Sequence, residues 1–176
     1  VDIADKEVGW YGAVTRVGDT FIIQDCYMPK QKVSSVTTVI DGENFADLAE
    51  ELVQQGKADV IEKLRFWGHS HVTMGTTPSG QDNEQMDVFR KKSIDWFIRG
   101  ILNKKARMEF TMYMYDMGIK VTDVPWQLKY NLDVSKLREE IQTEFDEKVK
   151  NAPYFTAASY YIRDPKTGAW EESCYD

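Results

Sequence analysis

The two histidines of the chain, His69 and His71, are separated by one residue, and an aspartate, Asp82, follows eleven residues after the second. On a β-strand, residues i and i+2 share a face, so both imidazoles would point in the same direction. The intervening residues 72–81 include two glycines and a proline, which allow the chain to turn back towards the histidines. Two imidazoles and a carboxylate are a ligand set with which a catalytic zinc keeps its fourth position for water. The spacing therefore predicts a zinc site.

A longer motif, H-x-H followed after seven residues by S-x-x-D, is formed by His69, His71, Ser79 and Asp82. It resembles the motif of the JAMM (MPN-plus) zinc metalloproteases position by position. Members of that family also carry a glutamate, closely followed by glycine, on an early strand. The segment Glu7-Val8-Gly9 is similar to the prokaryotic form of that element.

Two features depart from the family pattern. The residue after the second histidine, often proline in the family, is Val72 here. The family usually has a helix ahead of its glutamate, whereas only six residues precede Glu7 and the chain has no initiator methionine. We therefore expect a processed or trimmed start.

The resemblance implies a role for each residue of the motif. His69, His71 and Asp82 would bind Zn²⁺. Glu7 would accept a proton from the attacking water and pass it to the leaving amine, as a general base and then a general acid. The hydroxyl of Ser79 would steady the oxyanion of the tetrahedral intermediate.

The resemblance also implies a fold and an activity. The fold would be α/β, a curled mixed β-sheet flanked by helices, as in the cytidine-deaminase-like MPN (JAB) domains. The activity would be that of a zinc metallopeptidase or isopeptidase, similar to deubiquitinases, which hydrolyses an amide bond at the C-terminus of ubiquitin-like or other protein and peptide substrates. An extended substrate tail could add as a strand beside the site.

Two other functions are open to a chain of this kind. Many relatives of the JAMM fold have lost the metal and serve as binding or assembly modules, so a non-catalytic role is the main alternative. A zinc nucleobase deaminase also activates water on zinc, but it requires H-x-E with P-C-x-x-C. This chain contains no C-x-x-C, which argues strongly against a deaminase.

Each candidate residue also has a structural interpretation. The histidines could be polar residues at a strand end, or could join Cys26 and Cys174 in a structural zinc site, although the cysteines lack the short spacing of such sites. Ser79 and Asp82 could form a capping box at a helix start.

Three further residues lie close to this question. Glu7 could be a surface charge at a strand edge. Glu43 is a competing carboxylate, but it stands at a predicted helix start without the strand-glycine context. Trp67, predicted to share the strand face of the histidines, is expected in the core or lining the cleft.

Bulk composition limits the partners. A net charge of −7 argues against a nucleic-acid partner, which calls for a basic face. No apolar run approaches the ~20 residues of a membrane span, and no signal peptide is evident. Two widely spaced cysteines do not suggest a disulfide framework, so we expect a cytoplasmic protein. The sequence does not indicate an oligomeric state.

Hydrophobic periodicity predicts the elements that position the motif. Asn44 is expected to cap a helix that ends at Gly56, and a second helix of about three turns is expected to follow Ser79. Pro29 is expected to end the second strand and Pro125 the domain. The predicted strands are residues 7–15, 20–28, 33–40, 63–69, 94–102, 108–114 and 119–124, the first two forming a hairpin.

The predicted domain organisation is a metalloprotease domain at residues 1–125 and a C-terminal extension at residues 126–176. A single apolar stripe predicts a helix at about residues 133–150, docked on another surface. A hairpin is expected at residues 158–173, because aromatic segments bracket Asp164-Pro165-Lys166-Thr167-Gly168.

Overall fold

The computed structural model describes residues 3–33, 38–39, 42–91, 94–129, 134–151, 160–163 and 170–173. Over these residues the chain is an α/β protein with a mixed six-stranded sheet and four helices. The strands are β1 (Gly9–Val17), β2 (Thr20–Tyr27), β3 (Gln31–Val33), β4 (Thr38–Val39), β5 (Leu64–Ser70), β6 (Trp96–Leu102), β7 (Met108–Met114), β8 (Ile119–Val121), β9 (Val149–Asn151), β10 (Tyr160–Arg163) and β11 (Trp170–Ser173). The helices are α1 (Gly42–Gln54), α2 (Ala58–Ile61), α3 (Gly80–Lys91) and α4 (Val134–Lys148).

The main sheet has the strand order β2-β1-β5-β6-β7-β8. Strands β5 and β6 run parallel, and every other neighbouring pair is antiparallel. The sheet is therefore mixed, as predicted. Strand β5, which carries His69, lies between β1 and β6, so both of its edges are paired and its position is fixed from two sides.

The face of the sheet that carries Trp67 packs against helices α1 and α3. Leu48 and Leu52 of α1, and Met86 and Phe89 of α3, belong to one buried cluster with Trp67. The opposite face has its own cluster, in which residues of strands β1, β5, β6 and β7 pack together. Phe66 and Trp67 of β5 thus face opposite apolar clusters, as expected for a strand buried on both faces.

A close backbone approach precedes the first histidine. A Cβ atom on Gly68 would come within 2.5 Å of the Trp10 indole on the neighbouring strand β1. Only glycine fits there without displacement of the indole, so the approach of β1 to β5 just before His69 depends on this residue.

The predicted β1–β2 hairpin is confirmed, with Gly18 in its turn at φ +60°. Strand β1 begins at Gly9, however, so Glu7 lies just before the strand rather than within it. The extended segment predicted at residues 33–40 contains only the end of β3 and the short β4, which pair antiparallel; residues 34–37 and 40 lie outside the described residues.

The predicted helix cap at Asn44 is wrong. Helix α1 begins at Gly42, which places Asn44 inside the first turn beside Glu43. An acidic residue in the first turn interacts favourably with the positive end of the helix dipole, which is consistent with this earlier start. The predicted stop is confirmed, since Gly56 adopts φ +72° just after the helix ends.

The C-terminal helix is confirmed as α4, and it docks at its C-terminal end. Phe145 and Val149 pack against a buried cluster of Ala4, Val8 and Val33. Leu137, nearer the start of the helix, is 37% exposed, so the predicted apolar stripe is only partly covered.

Strand β9, directly after α4, pairs in parallel with β3. These contacts join the predicted extension to the N-terminal part of the chain. The boundary at residues 125 and 126 stays a prediction.

The predicted C-terminal hairpin is present as antiparallel strands β10 and β11. Its turn, residues 164–169, lies outside the described residues. None of the helices within the described ranges is both long and apolar enough to cross a membrane.

Candidate metal centre

The two histidines converge at the end of β5. His69 is the penultimate residue of the strand, and His71 follows its last residue. Their Nε2 atoms lie 3.1 Å apart, and both side chains are buried. The predicted common direction of the two imidazoles is confirmed, because the i, i+2 relationship is retained one residue beyond the strand.

Asp82 completes the cluster from the first turn of α3. Its Oδ1 lies 2.9 Å from Nε2 of His69, and its Oδ2 lies 3.5 Å from Nε2 of His71. The loop at residues 72–79 brings the start of α3 back to the end of β5, as the sequence predicted. Within the described residues this is the one group of histidine, cysteine and acidic side chains that could hold a metal ion.

The spacing of the donor atoms suits a small divalent cation. Tetrahedral bonds of about 2.0–2.1 Å place donor atoms about 3.3–3.4 Å apart. The two histidine nitrogens, at 3.1 Å, are near that separation without rearrangement. A cavity of about 10 Å³ adjoins the cluster and is lined by Glu7, His69 and Asp82 among others. The buried triad could therefore hold a metal ion.

His71 is oriented by the loop that follows it. Its Nδ1 lies 2.6 Å from the carbonyl oxygen of Gly75, an acceptor, so Nδ1 carries the hydrogen and Nε2 faces Asp82. A backbone carbonyl is one of the partners, with carboxylates and water, that fix the far nitrogen of a metal-binding imidazole in proteins. Val72 makes the turn, with φ +46°, a strained conformation for a β-branched residue.

His69 is held by packing instead. Its ring stacks on the Trp67 indole, with centroids 4.4 Å apart. Among the described residues its Nδ1 has no hydrogen-bond partner, and neither does Nε1 of Trp67. Trp67 also lines the cavity, so its predicted position beside the histidines is confirmed.

Burial and the short contacts set the protonation of the metal-free cluster. Burial lowers the pKa of His69 despite its contact with Asp82. The hydrogen bond to Asp82 raises the pKa of His71 above its ordinary value. Burial alone would raise the pKa of Asp82, but the two histidine contacts outweigh it and hold that pKa well below its usual range. The metal-free site thus favours the ionised form of Asp82 and makes His71 easier to protonate than an ordinary histidine.

Ser79 and Asp82 form a reciprocal cap at the start of α3. The backbone N–H and the hydroxyl of Ser79 donate to Oδ2 of Asp82 at 2.6 and 2.8 Å. The backbone N–H of Asp82 lies 3.2 Å from Oγ of Ser79. The capping interpretation is therefore confirmed, and it coexists with the metal-site geometry because Oδ1 of Asp82 still faces His69.

Glu7 lines the cavity together with two residues of the triad, His69 and Asp82. It is 6% exposed, and Ser79 lines the same cavity. The interpretation of Glu7 as a surface charge is wrong, because the residue is buried and lies before β1, an interior strand of the sheet. Burial raises the pKa of its carboxyl group.

The competing residues lie elsewhere. Glu43 is exposed in the first turn of α1 and does not line this cavity. Cys26 is exposed on β2 and does not belong to the cluster, while Cys174 lies outside the described residues. The alternative zinc site of two cysteines and two histidines therefore has no support from Cys26.

Sequence reasoning missed two glutamines. Gln81 and Gln85 line the cavity from α3. They are spaced i, i+4 and therefore share one face of α3, and that spacing is a signal the sequence does contain. The carbonyl of Gly75 was also missed, because a backbone acceptor has no sequence signature.

Comparison with known proteins adds no assignment. No protein-family profile matches the chain, and the comparison with curated proteins found no match.

Proposed function

We propose that this protein is a zinc-dependent metallopeptidase or isopeptidase of the JAMM type. The observation that carries the proposal is the convergence of His69, His71 and Asp82 on one point beside the buried carboxyl group of Glu7. The likeness of the motif to that of the JAMM proteases supports the same reaction and an MPN-type fold.

We propose zinc because the three buried side chains offer two imidazole nitrogens and one carboxylate oxygen as donor atoms. Such a set leaves a coordination position for water, as in catalytic zinc sites. When bound, the metal would supply Lewis acidity, which can lower the pKa of a water molecule to about 7. The protein's own contribution is the fixed direction of His71 by Gly75 and of Asp82 by Ser79.

Glu7 is the residue that we propose to move the proton. Its carboxyl group borders the cavity, where it could take a proton from the attacking water and deliver it to the leaving amine. Because burial raises the pKa of Glu7, its carboxylate accepts a proton more readily than that of an exposed glutamate. That property suits a group that must first accept a proton and then release it.

Ser79 has two tasks in this proposal. Its hydroxyl donates to Asp82 in the structure, and this contact fixes the carboxylate. Stabilising an oxyanion would require the hydroxyl to exchange that acceptor for the substrate. The backbone N–H of Ser79 would keep Asp82 in place during the exchange, since it donates to the same oxygen at 2.6 Å.

The substrate we propose is a protein or peptide amide bond at the C-terminus of a ubiquitin-like or other protein. A cavity of about 10 Å³ admits little more than the reacting groups, so most of a substrate would lie outside it. An extended tail could present its scissile amide at this cavity while the rest of the polypeptide stays outside. The amides of Gln81 and Gln85 line the cavity and can both donate to and accept from a peptide backbone.

The test is a screen with metal analysis. Purified protein is assayed for zinc and iron, then incubated with ubiquitin-like fusions and isopeptide-linked pairs, with Glu7→Gln as the matched control. Cleavage by the parent protein, lost in Glu7→Gln, supports the proposal. Stoichiometric zinc without cleavage of any substrate favours the binding or assembly module, and iron in place of zinc contradicts the proposal.

A further inference from the structure

The backbone that carries Glu7 is held by two side chains in addition to one backbone hydrogen bond. Glu7 and Val8 precede β1, whose pairing with β5 begins with Gly9 opposite His69. Two buried polar side chains reach this segment from different strands, Ser70 from β5 and Gln31 from β3. Neither residue belongs to the metal cluster.

Ser70 is the residue between the two histidines, so its side chain points to the other face of the strand. It is 1% exposed, and its Oγ accepts the backbone N–H of Val8 at 3.0 Å and donates to the carbonyl oxygen of Lys6 at 3.4 Å. Its own N–H donates to the carbonyl oxygen of Val8 at 2.9 Å. Ser70 thus bonds the backbone on both sides of Glu7.

Gln31 holds the next residue in the same way. Its Oε1 accepts the N–H of Gly9 at 2.8 Å, and its Nε2 donates to the carbonyl oxygens of Gly9 at 2.8 Å and Pro29 at 3.2 Å. A single side-chain amide therefore makes with Gly9 the pair of bonds that a residue on a neighbouring strand would make. Gln31 is 3% exposed, so these bonds are shielded from water.

The strand that carries Gln31 is itself supported by the C-terminal part of the chain. Gln31 is opposite Val149 in the parallel β3–β9 pair. The side chain of Val8 belongs to the buried cluster against which Phe145 and Val149 pack. The residues around Glu7 are thus bonded by Ser70 and Gln31 and packed from behind by α4 and β9.

We propose that Ser70 and Gln31 are positioning residues for Glu7. They fix the backbone on both sides of the glutamate, so that its carboxyl group remains in the metal cavity. The inference rests on the proposed function, since it assigns these residues to the general base of that reaction. A displacement of about 1 Å can cost about 10²-fold in rate, so holding this segment matters even though neither residue touches the reacting atoms.

The first test uses Ser70→Ala and Gln31→Leu in the full chain. We expect zinc affinity, measured by competition with a chelator, to stay close to that of the parent protein. The amide hydrogens of Val8 and Gly9 should exchange about tenfold faster, since each loses a buried hydrogen bond. Unchanged exchange at both amides, or a loss of zinc affinity as large as that of a ligand variant, would overturn the proposal.

The second test separates positioning from general loss of structure. In metal-saturated protein, Ser70→Ala should lower the cleavage rate by about 10-fold to 10²-fold, and Ser70→Thr, which keeps the hydroxyl, should restore it. In a Glu7→Gln background Ser70→Ala should cause no further fall. Thr111→Val, which removes another buried hydroxyl from the same sheet, is the matched control and should leave the rate unchanged. Equal losses in both backgrounds would overturn the positioning role.

A third readout is independent of cleavage. If the parent protein cleaves no substrate, the proposed function fails, and the visible spectrum of the Co²⁺-loaded protein then decides the positioning role. Ser70→Ala must change that spectrum as Glu7→Gln does and must add nothing in the double variant. Any other pattern overturns the positioning role.

Discussion

Ser79 and Asp82 are bonded to each other in both directions, and the oxygen that receives both Ser79 donors is Oδ2 of Asp82. The other carboxylate oxygen, Oδ1, lies 2.9 Å from His69. One side chain therefore caps helix α3 and completes the cluster that could hold a metal ion. Stability of the helix and affinity for the metal should depend on the same contact.

We expect Ser79→Ala to weaken both properties. Loss of the cap should lower the free energy of unfolding by about 1 kcal/mol. Metal affinity should fall about tenfold or more, because Asp82 loses the hydroxyl that fixes its orientation. Denaturant unfolding of the metal-free protein and zinc titration measure the two effects, with Ser79→Thr as the matched control. Loss of stability with unchanged affinity would limit Ser79 to a cap.

His71→Ala should purify with little zinc, because it removes one of three ligands. Treatment of the parent protein with a strong chelator should abolish hydrolysis, and added zinc should restore it. Elemental analysis measures the first effect, and circular dichroism before and after chelation shows whether the fold persists. Near-stoichiometric zinc in His71→Ala would remove this histidine from the ligand set.

Glu7→Gln should retain metal and lose the reaction. The amide keeps the size of the side chain but cannot accept the proton, so we expect a fall in rate of roughly 10²-fold or more. Zinc content and turnover are measured on the same preparation. A variant that turned over at the parent rate would transfer the role of base to another group.

Metal affinity should depend on pH through His71. Metal binds the neutral imidazole, and contact with Asp82 raises the pKa of His71 above its ordinary value in the metal-free protein. Below that raised pKa a proton must be displaced, so affinity should fall by about one decade per pH unit as the pH decreases. Above it the affinity should level off. Zinc titrations at pH values around the raised pKa of His71, where His69 and Asp82 are already deprotonated, measure how affinity changes with pH. An affinity that does not change with pH through this range would contradict the assignment of His71 as a ligand.

Val72→Gly should stabilise the metal-free protein. Val72 adopts φ +46°, which costs a β-branched residue about 1–2 kcal/mol relative to glycine, and the greater freedom of glycine when unfolded offsets part of the gain. Thr73→Gly is the matched control, because Thr73 is exposed and does not have a positive φ. Stabilisation by both variants, or by neither, would contradict strain at Val72.

The local features of the site were predictable because their signals are local. The period of two on a strand places His69 and His71 on one face, and a serine three residues before an acid begins a helix at Ser79. Hydrophobic periodicity indicated the individual strands and helices, whereas the α/β class and the mixed sheet were expected from the resemblance of the motif. The separation of Asp82 from the histidines by a turn-rich loop was enough to predict their convergence.

Other features depend on contacts that no local pattern encodes. The pairing of β3 with β9 joins Gln31 to Val149 across more than a hundred residues, so hydrophobic periodicity does not reveal it. From the sequence alone Glu7 is predicted to lie on a strand. In the structure it lies before β1 and is buried. The hydrogen bonds from Ser70 and Gln31 to the segment around Glu7 are made to backbone groups. Backbone groups have no signature in the sequence.

The parallel pairing of β3 with β9 also has a consequence for the order in which parts of the site form during synthesis. During synthesis, the two histidines and Asp82 leave the ribosome before residues 149–151 do. The cluster can therefore assemble before β9 packs behind the segment that carries Glu7. Metal binding could therefore precede the packing of the Glu7 segment during synthesis. If the proposed function is correct, hydrolytic competence would follow only after β9 has been made and has paired with β3.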